Sequence, residues 1–329
     1  MPEIDPIHYE KQLWSKGINK IAGVDEAGRG PLAGPVVAAA VILDKDNIPE
    51  GIDDSKKLRP AVREELYEII TAKCVRFGVG TVWQEEIDKT DILKSTHKAM
   101  RKAIGNLETT PDHILVDGRG LPGKIFPQTA IINGDSLSTS IGAASIIAKV
   151  TRDGIMREIS KIYPEYGFEI HKGYGTEKHI KSINELGPSP VHRKSFRRVK
   201  EMEVKLDLTN QKKVGEHGER IASLELIKRG YTVIERNYWA GKRESEIDII
   251  ASKENTLVFV EVKTKLHQNF GEPEEWISEK KREQLIRAAE AYIQEKKPDA
   301  EEYRFDAMAV DIEPEIPTVH HIINAFQKQ

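Results

Sequence analysis

The strongest constraint on the fold is a segment in which a short apolar run leads directly into two acids. Ile21-Ala22-Gly23-Val24 predicts a buried strand, and Asp25 and Glu26 follow it at once. Adjacent carboxylates repel one another unless a cation lies between them. The Gly-Arg-Gly at 28–30 then allows another molecule's backbone to approach, and its arginine offers a planar fork for phosphate. The segment therefore indicates a metal site that contacts a polynucleotide.

The composition is that of a globular chain long enough for about two domains. Its 329 residues are 39% hydrophobic and 31% charged. No run of about 18 apolar residues is present, so we expect no membrane span, and residues 1–6 do not resemble a secretory signal. Cys74 is the only cysteine, which excludes an intrachain disulfide and favours a cytoplasmic location. The net charge of -3 does not decide for or against nucleic acid, because only local basic clusters matter.

The first part of the chain alternates apolar β-branched runs with helical periodicity. We predict strands at 21–24, 36–43, 74–83 and 113–116, and helices at 60–73 and 137–162. This order predicts a mixed sheet flanked by helices.

The second part begins after a proline-rich break at 187–190 and a basic cluster at 192–200. We predict helices at 216–229 and 278–297, and strands at 231–234, 246–250, 256–263, 303–310 and 319–323. Weakly periodic polar residues separate the two parts. We therefore predict a first domain at 1–200, a linker at 201–212 and a second α/β domain at 213–329.

Four acids of the first domain stand where strands are expected to end or helices to begin: Asp25, Glu26, Asp117 and Asp135. Hydrolysis of a phosphodiester needs a nucleophilic water and neutralised phosphate oxygens, and two divalent cations about 3.5–4 Å apart supply both. Carboxylates suit Mg²⁺ or Mn²⁺. The alternative is that such acids are turn or cap residues, which is the more common role for Asp117 or Asp135 taken alone.

Residues 15–200 resemble ribonuclease HII. The matching runs lie at 23–36, 53–58, 116–118, 133–136, 143–153, 171–176 and 192–196. The resemblance implies an RNase H-like mixed sheet flanked by helices. It also implies an endoribonuclease that cuts the RNA strand of RNA–DNA hybrids, and cuts 5′ of single ribonucleotides in DNA to leave 3′-hydroxyl and 5′-phosphate ends.

The resemblance also implies roles for individual residues. It makes Asp25, Glu26, Asp117 and Asp135 the catalytic acids that bind Mn²⁺ or Mg²⁺. It makes Gly28, Arg29 and Gly30 the loop that senses the ribose 2′-hydroxyl, the group that distinguishes RNA from DNA. Tyr174 would pack at the RNA-to-DNA junction, and Ser55 and Lys56 match a run for which a phosphate contact is expected. A solvated lysine is the alternative for Lys56.

Other polar residues of this domain have weaker expectations. Lys149 and Arg152 are three residues apart on a predicted helix and share a face, which favours structural salt bridges. His171 and His192 are candidate phosphate contacts, although most histidines have no such role. The basic run at 193–200 is either a solvated tail or a substrate clamp, and its aromatic residue Phe196 favours the clamp.

The second domain carries Glu246-Ile247-Asp248 and Glu261-Val262-Lys263 on two predicted strands. Because side chains alternate along a strand, each pair of charged residues shares one face, and a hairpin would bring the two faces together. Such a site would offer carboxylates for a metal and a lysine for phosphate or water. The alternative is an ordinary hairpin with its charged residues in solvent.

Residues 213–329 resemble the YraN-like family, which implies a restriction-endonuclease-like fold. The matching runs lie at 218–222, 235–239, 246–250, 257–264, 304–307 and 324–326. The resemblance implies a nuclease-like site formed by Glu219, Asp248, Glu261 and Lys263. The chain has Ser245 where the family usually has glycine before Glu-Ile-Asp, which leaves the acids intact.

We therefore expect a two-domain cytoplasmic endoribonuclease that acts on RNA–DNA hybrids and ribonucleotide-containing duplex DNA. The second domain is either a non-catalytic DNA-binding module or a second DNA endonuclease. We expect no membrane association and no obligate protein partner. A third possibility is a nucleic-acid scaffold in which the acids of the first domain are structural.

Overall fold

The computed structural model describes residues 5–123, 126–202, 209–241, 245–265, 277–312 and 317–327. Its contacts divide the chain into two compact units, 1–157 with 168–203 and 158–167 with 204–329. Residues 203–208 of the predicted linker lie outside the described residues, and the domain boundaries drawn from the sequence stay a prediction. Among the helices in the described ranges, none is long and apolar enough to cross a bilayer.

The first unit is built on a five-stranded sheet whose order is β3-β2-β1-β4-β5. Its strands are β1 (Ile21–Ala27), β2 (Val36–Ile42), β3 (Arg76–Val82), β4 (His113–Asp117) and β5 (Gln128–Ile131). Strands β1, β2 and β3 pair antiparallel, whereas β1, β4 and β5 pair parallel. This arrangement confirms the RNase H-like mixed sheet. It places β1 at the centre, where strand direction changes.

One boundary expected from the sequence is wrong. Strand β1 does not end before the two acids but continues through them, and Asp25 and Glu26 lie opposite Ala39 and Ala38 of β2. The reason is that β2 is apolar along its whole length and buried throughout, so it offers β1 a partner over seven residues.

Eight helices belong wholly or mainly to the first unit within the described ranges: α1 (His8–Trp14), α2 (Pro60–Lys73), α3 (Gln84–Lys89), α4 (Ile92–Gly105), α5 (Thr139–Ile162), α6 (Phe168–His171), α7 (Glu177–Leu186) and α8 (Arg197–Lys200). The last turn of α5, from Glu158, falls in the second unit. Helix α2 has the predicted bounds, with proline in its first turn. Helix α5 begins two residues later than predicted, because Gly134–Ser136 forms a separate 3₁₀ turn before it.

Apolar side chains cover both faces of the sheet. On one face, Val24 and Val116 pack with Met100 and Ile104 of α4. On the other face, side chains of β2 pack with α2 and α5; the cluster includes Ala39, Val41, Leu66, Ile70 and Ile147. Burial of each large aliphatic side chain stabilises the fold by about 1.5–3 kcal/mol. Because both faces are covered, the site must lie at an edge of the sheet.

The second unit contains another five-stranded mixed sheet, of order β10-β9-β8-β7-β6. Its elements are α9 (Gln211–Lys228), β6 (Thr232–Ala240), β7 (Ser245–Lys253), β8 (Thr256–Lys265), α10 (Glu279–Lys296), β9 (Glu302–Asp311) and β10 (Thr318–Phe326). Strands β8 and β9 pair parallel and the other neighbours antiparallel. This α/β architecture agrees with the predicted nuclease fold.

Most elements of the second unit are longer than the sequence indicated, and the largest boundary differences are at α9 and β6. Helix α9 begins at Gln211 instead of 216, because the side chain of Asn210 caps it by accepting hydrogen bonds from the amide N–H groups of Lys212 and Lys213. Strand β6 continues to Ala240 because it pairs with β7 over most of its length.

Candidate active site

Asp25 is a buried carboxylate on the central strand, with only 4% of its surface exposed. Its Oδ1 accepts a hydrogen bond of 2.7 Å from the amide N–H of Glu26, and Ser145 of α5 supplies another. Burial raises the pKa of Asp25 well above its usual value, and the charges of Glu26 and Asp117 raise it further. A group in this state interacts strongly with any cation that reaches it.

Asp117 and Asp135 join the same cluster from neighbouring elements. Asp117 is the last residue of β4, which runs parallel to β1 and so ends at the same edge of the sheet. Its Oδ1 accepts a hydrogen bond of 2.7 Å from the amide N–H of Gly134, which holds the 3₁₀ turn that carries Asp135. Burial raises the pKa of Asp117, and the charge of Asp135 adds to this effect. The structure thus brings the four acids into one electrostatically linked group.

Two cationic side chains lie against these acids. Lys56 Nζ is 3.0 Å from Asp135 Oδ2, and its charge also acts on Asp25 and Glu26. Arg29 Nη1 is 3.3 Å from Glu26 Oε1. The Lys56 side chain is 77% exposed, so it can reorient at little cost. These contacts show that the cluster attracts positive charge from two directions.

The donor set fits a divalent metal ion of the Mg²⁺ or Mn²⁺ type, because every side-chain ligand on offer is a carboxylate. Within the described ranges, no three Asp, Glu, His or Cys side chains are already grouped as a ready-made metal site. In each of Asp25 and Asp117, one carboxylate oxygen accepts a hydrogen bond from a backbone amide. The residues that would hold the metal are Asp25, Glu26, Asp117 and Asp135.

The glycine-rich loop and Tyr174 lie side by side. A Cβ atom on Gly30 would be 3.7 Å from Cε1 of Tyr174, and Gly28 has the left-handed φ of 98° that favours glycine. The Tyr174 side chain is 44% exposed, and Lys149 Nζ lies 5.9 Å from its ring centroid. The loop therefore presents its backbone next to an exposed aromatic ring and a cation.

Ser55 does not occupy the substrate-facing position expected from the sequence. It is 3% exposed, and its hydroxyl lies 2.9 Å from that of Ser145, the residue that also hydrogen-bonds Asp25. A side chain beneath the surface cannot contact a phosphate, so Ser55 instead supports the partner of Asp25.

His171 and His192, the two candidate phosphate contacts, are also buried, which favours the alternative that they have no such role. The rings of His171 and His179 stack with centroids 4.3 Å apart, and Nε2 of His179 lies 3.0 Å from Nε2 of His192. Burial lowers the pKa of His192 to about 3 and that of His179 to about 4. These rings are neutral, and the Nδ1 of His179 contacts the carbonyl oxygen of Tyr174 at 2.9 Å. The cluster therefore supports the Tyr174 loop from below.

Arg152 and Arg193 are fully buried. Of the two residues expected to make structural salt bridges, Lys149 pairs with Asp153 at 2.8 Å, whereas Arg152 has no ion pair among the described residues. Arg193 is not part of a solvated tail, although Arg197 and other residues of the basic run are exposed. No feature of the sequence distinguishes these two arginines from surface cations.

The charged residues of the second unit form a separate group. Asp248 Oδ2 accepts a hydrogen bond of 2.6 Å from the amide N–H of Val262. Glu261 is 2% exposed, with Lys263 Nζ 2.8 Å from its Oε1 and Lys281 Nζ 3.0 Å from its Oε2. Burial raises the pKa of Asp248 to about 8, and the charge of Glu261 adds to this effect. Lys281 was not predicted, because it is one of several lysines and arginines in helix α10 and nothing in the sequence distinguishes it from the others.

Glu219 stands at the margin of this group. Its Oε2 is 3.6 Å from Arg236 Nη2, while its charge contributes to the raised pKa of Asp248. Burial also raises the pKa of Glu219 itself. The structure therefore brings Asp248, Glu261 and Lys263 together and leaves Glu219 paired with an arginine.

An RNase H-like sheet with carboxylates on its two central parallel strands defines a metal-dependent nuclease. The sequence model of the ribonuclease HII family matches residues 22–199. Ribonuclease HII of Clostridioides difficile (strain 630) is 53% identical over 188 residues, which is 57% of this chain and 74% of that protein. Ribonuclease HII of Geobacillus kaustophilus (strain HTA426) is 51% identical over 196 residues, 60% of this chain and 75% of that protein.

Among solved structures, ribonuclease H2 from Pyrococcus horikoshii OT3 aligns with a TM-score of 0.47 at 29% identity, covering 55% of this chain and 95% of that one. The family match over more than half of the sequence is decisive: the chain belongs to the ribonuclease HII family. Members of this family are hydrolytic endoribonucleases that act on RNA–DNA hybrids and depend on divalent metal ions.

The second unit has its own match. Residues 218–310 match the model of the uncharacterised protein family UPF0102, which confirms the resemblance of this part to the YraN-like family. A family without an established activity does not assign chemistry to the unit. Its function must therefore be argued from its own residues.

Proposed function

We propose that the first unit hydrolyses the RNA strand of RNA–DNA hybrids and cuts on the 5′ side of single ribonucleotides embedded in DNA. The observation that carries this proposal is the linked group of four buried or half-buried carboxylates beside an exposed glycine-rich loop and aromatic ring: Asp25, Glu26, Asp117, Asp135, Gly28–Gly30 and Tyr174. The products have 3′-hydroxyl and 5′-phosphate ends.

We propose that the four carboxylates would hold a divalent metal, Mn²⁺ or Mg²⁺. Such ions, when bound, would supply a water nucleophile at neutral pH and neutralise charge on the phosphorus oxygens. Asp25 and Asp117 are each oriented by a backbone amide, so their free oxygens need little reorganisation when a cation binds. The mobile ammonium of Lys56 can turn from Asp135 towards a backbone phosphate of the substrate.

The loop next to the acids supplies the recognition of RNA. The absence of a side chain at the exposed Gly30 permits close approach of the backbone to a ribose, and only such an approach senses the 2′-hydroxyl. The half-exposed Arg29 guanidinium offers a fork for phosphate. Tyr174 provides a flat apolar surface on which the sugar at the RNA-to-DNA junction can pack.

The test is to measure cleavage of a duplex with one ribonucleotide by the Asp25→Asn variant, in the presence of either Mg²⁺ or Mn²⁺. We expect cleavage to be lost while the variant still folds and binds the duplex. The matched control is Asp46→Asn, because Asp46 is an exposed acid outside the cluster and its loss should leave cleavage unchanged. Full cleavage by the Asp25 variant would eliminate the catalytic role of the cluster.

We propose in addition that the protein is cytoplasmic and that it acts without an obligate protein partner. A single cysteine suits a reducing compartment, and one chain contributes all the residues named in the site. The substrates are hybrids and ribonucleotide-containing duplex DNA. Cleavage by the purified chain alone is the direct check, and activity that appears only after addition of another protein would contradict this proposal.

For the second unit we propose a second nuclease site that binds a divalent cation through Asp248 and Glu261, with DNA as the substrate. The supporting observation is that two acids on neighbouring antiparallel strands share a buried environment with the ammonium group of Lys263. The lysine is 44% exposed at its side chain and can contact phosphate or a water molecule. The competing function is a DNA-binding module without catalysis, which raises the local concentration of substrate for the first unit.

The two functions of the second unit can be separated in an Asp25→Asn background, in which the first unit is inactive. Supercoiled and branched DNA are incubated with Mg²⁺ or Mn²⁺, and Glu261→Gln is compared with Glu283→Gln, an exposed acid of α10. Cleavage that is lost only in the Glu261 variant supports the nuclease. Binding without cleavage in both variants supports the module.

A further inference from the structure

Two arginines of the first unit are buried without an acidic partner. Arg152 of α5 and Arg193 both have 0% exposure. Within the described part of the chain neither guanidinium forms an ion pair, and Asp153, next to Arg152, pairs with Lys149. Buried arginines are rare unless paired, and their desolvation costs free energy. The arrangement therefore requires strong compensating contacts.

Among the described residues, the hydrogen bonds of the Arg193 side chain all go to carbonyl oxygens of the loop after β1, and its guanidinium also lies 5.0 Å from the ring centroid of Phe196. Its Nη2 donates to Gly28 at 2.6 Å and to Pro35 at 3.2 Å, and its Nη1 donates to Arg29 at 2.9 Å. Its Nε donates to Gly34 at 3.0 Å. One side chain thus holds both ends of the loop that connects β1 with β2.

Arg152 binds the same loop and joins it to the segment before Tyr174. Its Nε donates to the Pro35 carbonyl at 2.9 Å and its Nη2 to that of Ala33 at 3.1 Å. Its Nη1 donates to the carbonyl of Lys172 at 3.1 Å. A Cβ on Gly28 would lie 2.1 Å from Arg152 Nε, so the glycine is needed for the guanidinium to fit.

The geometry of the peptide unit determines where the N–H groups opposite the bound carbonyls point. In a trans peptide the C=O and the N–H of the same unit point in opposite directions, and the described residues contain no cis peptide. The carbonyl of Gly28 shares its unit with the N–H of Arg29, and the carbonyl of Arg29 shares its unit with the N–H of Gly30. Both N–H groups therefore point away from the buried guanidinium of Arg193.

These two N–H groups are the ones available to a ligand. Within the described residues, the amides of Arg29 and Gly30 have no hydrogen-bond acceptor, whereas those of Leu32 and Gly34 donate to Gly173 and Val191. A carbonyl that accepts a hydrogen bond from a cation polarises its peptide unit, which makes the N–H of that unit a better donor. Arg193 thus affects both the direction and the strength of two donors.

We propose that Arg193, supported by Arg152, is a positioning residue that directs the amide N–H groups of Arg29 and Gly30 at the ribonucleotide. This inference rests on the proposed recognition of ribose by the loop. Neither arginine needs to touch the substrate, because each acts through the backbone that it holds. Discrimination between RNA and DNA then depends on side chains below the binding surface.

The test measures binding without cleavage, in the Asp25→Asn background. Dissociation constants are determined for a duplex with one ribonucleotide and for the same duplex made only of DNA, and their ratio is the readout. We expect Arg193→Lys to reduce this ratio by about 10-fold or more, because a single ammonium cannot span four carbonyls as a planar fork does. Arg152→Lys should have a smaller effect, since the side chain of Arg152 donates no hydrogen bond to the carbonyl of Gly28 or Arg29.

The matched control is Arg157→Lys, which changes an exposed arginine of α5 paired with Glu64 and should leave the ratio unchanged. A second readout is the amide NMR signals of Arg29 and Gly30 without nucleic acid, which should shift in Arg193→Lys but not in the control. A folded Arg193 variant with an unchanged ratio and unchanged signals would overturn the inference.

Two other outcomes are informative. If Asp25→Asn alone shows no preference for the ribonucleotide, the proposed recognition of ribose by the loop is wrong. Arg193 then has no recognition site to position. If both arginine variants fail to give folded protein by circular dichroism, the arginines are folding elements, which also contradicts a positioning role.

Discussion

Replacement of Gly23 by alanine tests the packing of the central strand against helix α5. A Cβ atom at this position would lie 2.0 Å from the carbonyl carbon of Ser140 and 2.1 Å from its oxygen. Both are backbone atoms of the helix, so no side-chain rotation relieves the overlap. An ordinary contact begins at 3.4 Å, and the helix or the strand must therefore move by roughly 1.4 Å.

The expected cost follows from this displacement. Forcing extra volume into a packed core typically costs about 1–3 kcal/mol, and a clash between two backbones should lie at or above the upper end. For a unit of this size, about 3 kcal/mol lowers the unfolding temperature by roughly 6–12 °C. Because Asp25 is two residues away on the same strand, a shift of about 1 Å should also reduce cleavage on the order of 100-fold.

The measurements are thermal unfolding by circular dichroism and the initial rate on a duplex with one ribonucleotide. Gly154→Ala is the matched control on the same helix, since the nearest atom to its added Cβ is 3.9 Å away in a flexible arginine. It should stabilise the protein by about 0.5–1 kcal/mol, as alanine does in a helix. If the Gly23→Ala variant unfolds within about 2 °C of the original protein and keeps its cleavage rate, strand β1 and helix α5 are not in the close contact described above.

Three further predictions concern pH and charge. In metal-free buffer near pH 7, Asp25→Asn should raise the unfolding temperature, because the raised pKa of Asp25 means that the folded state loses stability as pH rises above about 4. Asp248→Asn should likewise stabilise the second unit, with a gain that grows between about pH 4 and the folded-state pKa of about 8, as measured by hydrogen exchange in β7 and β8. His179 and His192 have lowered pKa values, so the unfolding free energy should decrease as pH falls below about 6.5. Both rings should remain neutral in NMR spectra at pH 5, and an imidazolium signal there would refute their burial.

The sequence predicted those elements whose periodicity is set by burial alone. Strand β2 is a continuous apolar run covered on both faces, and helix α2 combines a first-turn proline with apolar residues at helical spacing. The meeting of Asp25 with Asp117 was also predictable, since both lie at the ends of apolar runs that become neighbouring parallel strands. Helix α4 was missed although signals for it exist, namely the cap at Asp91 and the apolar positions that follow.

The sequence did not reveal the supporting residues beneath the site. A phosphate contact was expected for Ser55 because it matches a run of the ribonuclease HII family, yet the tertiary structure turns it inward to Ser145. His192 begins the basic cluster and was a candidate phosphate contact, although its ring is enclosed with two other histidines. In each case the side chain alone is compatible with either location, and long-range packing decides between them.

Arg193 and Arg197 show most clearly why the sequence pattern does not indicate which side chains are buried. They are four residues apart in one basic run, yet the first is fully buried and the second is exposed. What differs is the presence of backbone carbonyls from the loop between β1 and β2, more than 150 residues earlier in the chain. Every residue has a carbonyl, so a sequence pattern cannot indicate which carbonyls will be free to accept a hydrogen bond. A buried cation held by backbone acceptors therefore becomes recognisable only when the loop and the arginine are seen together.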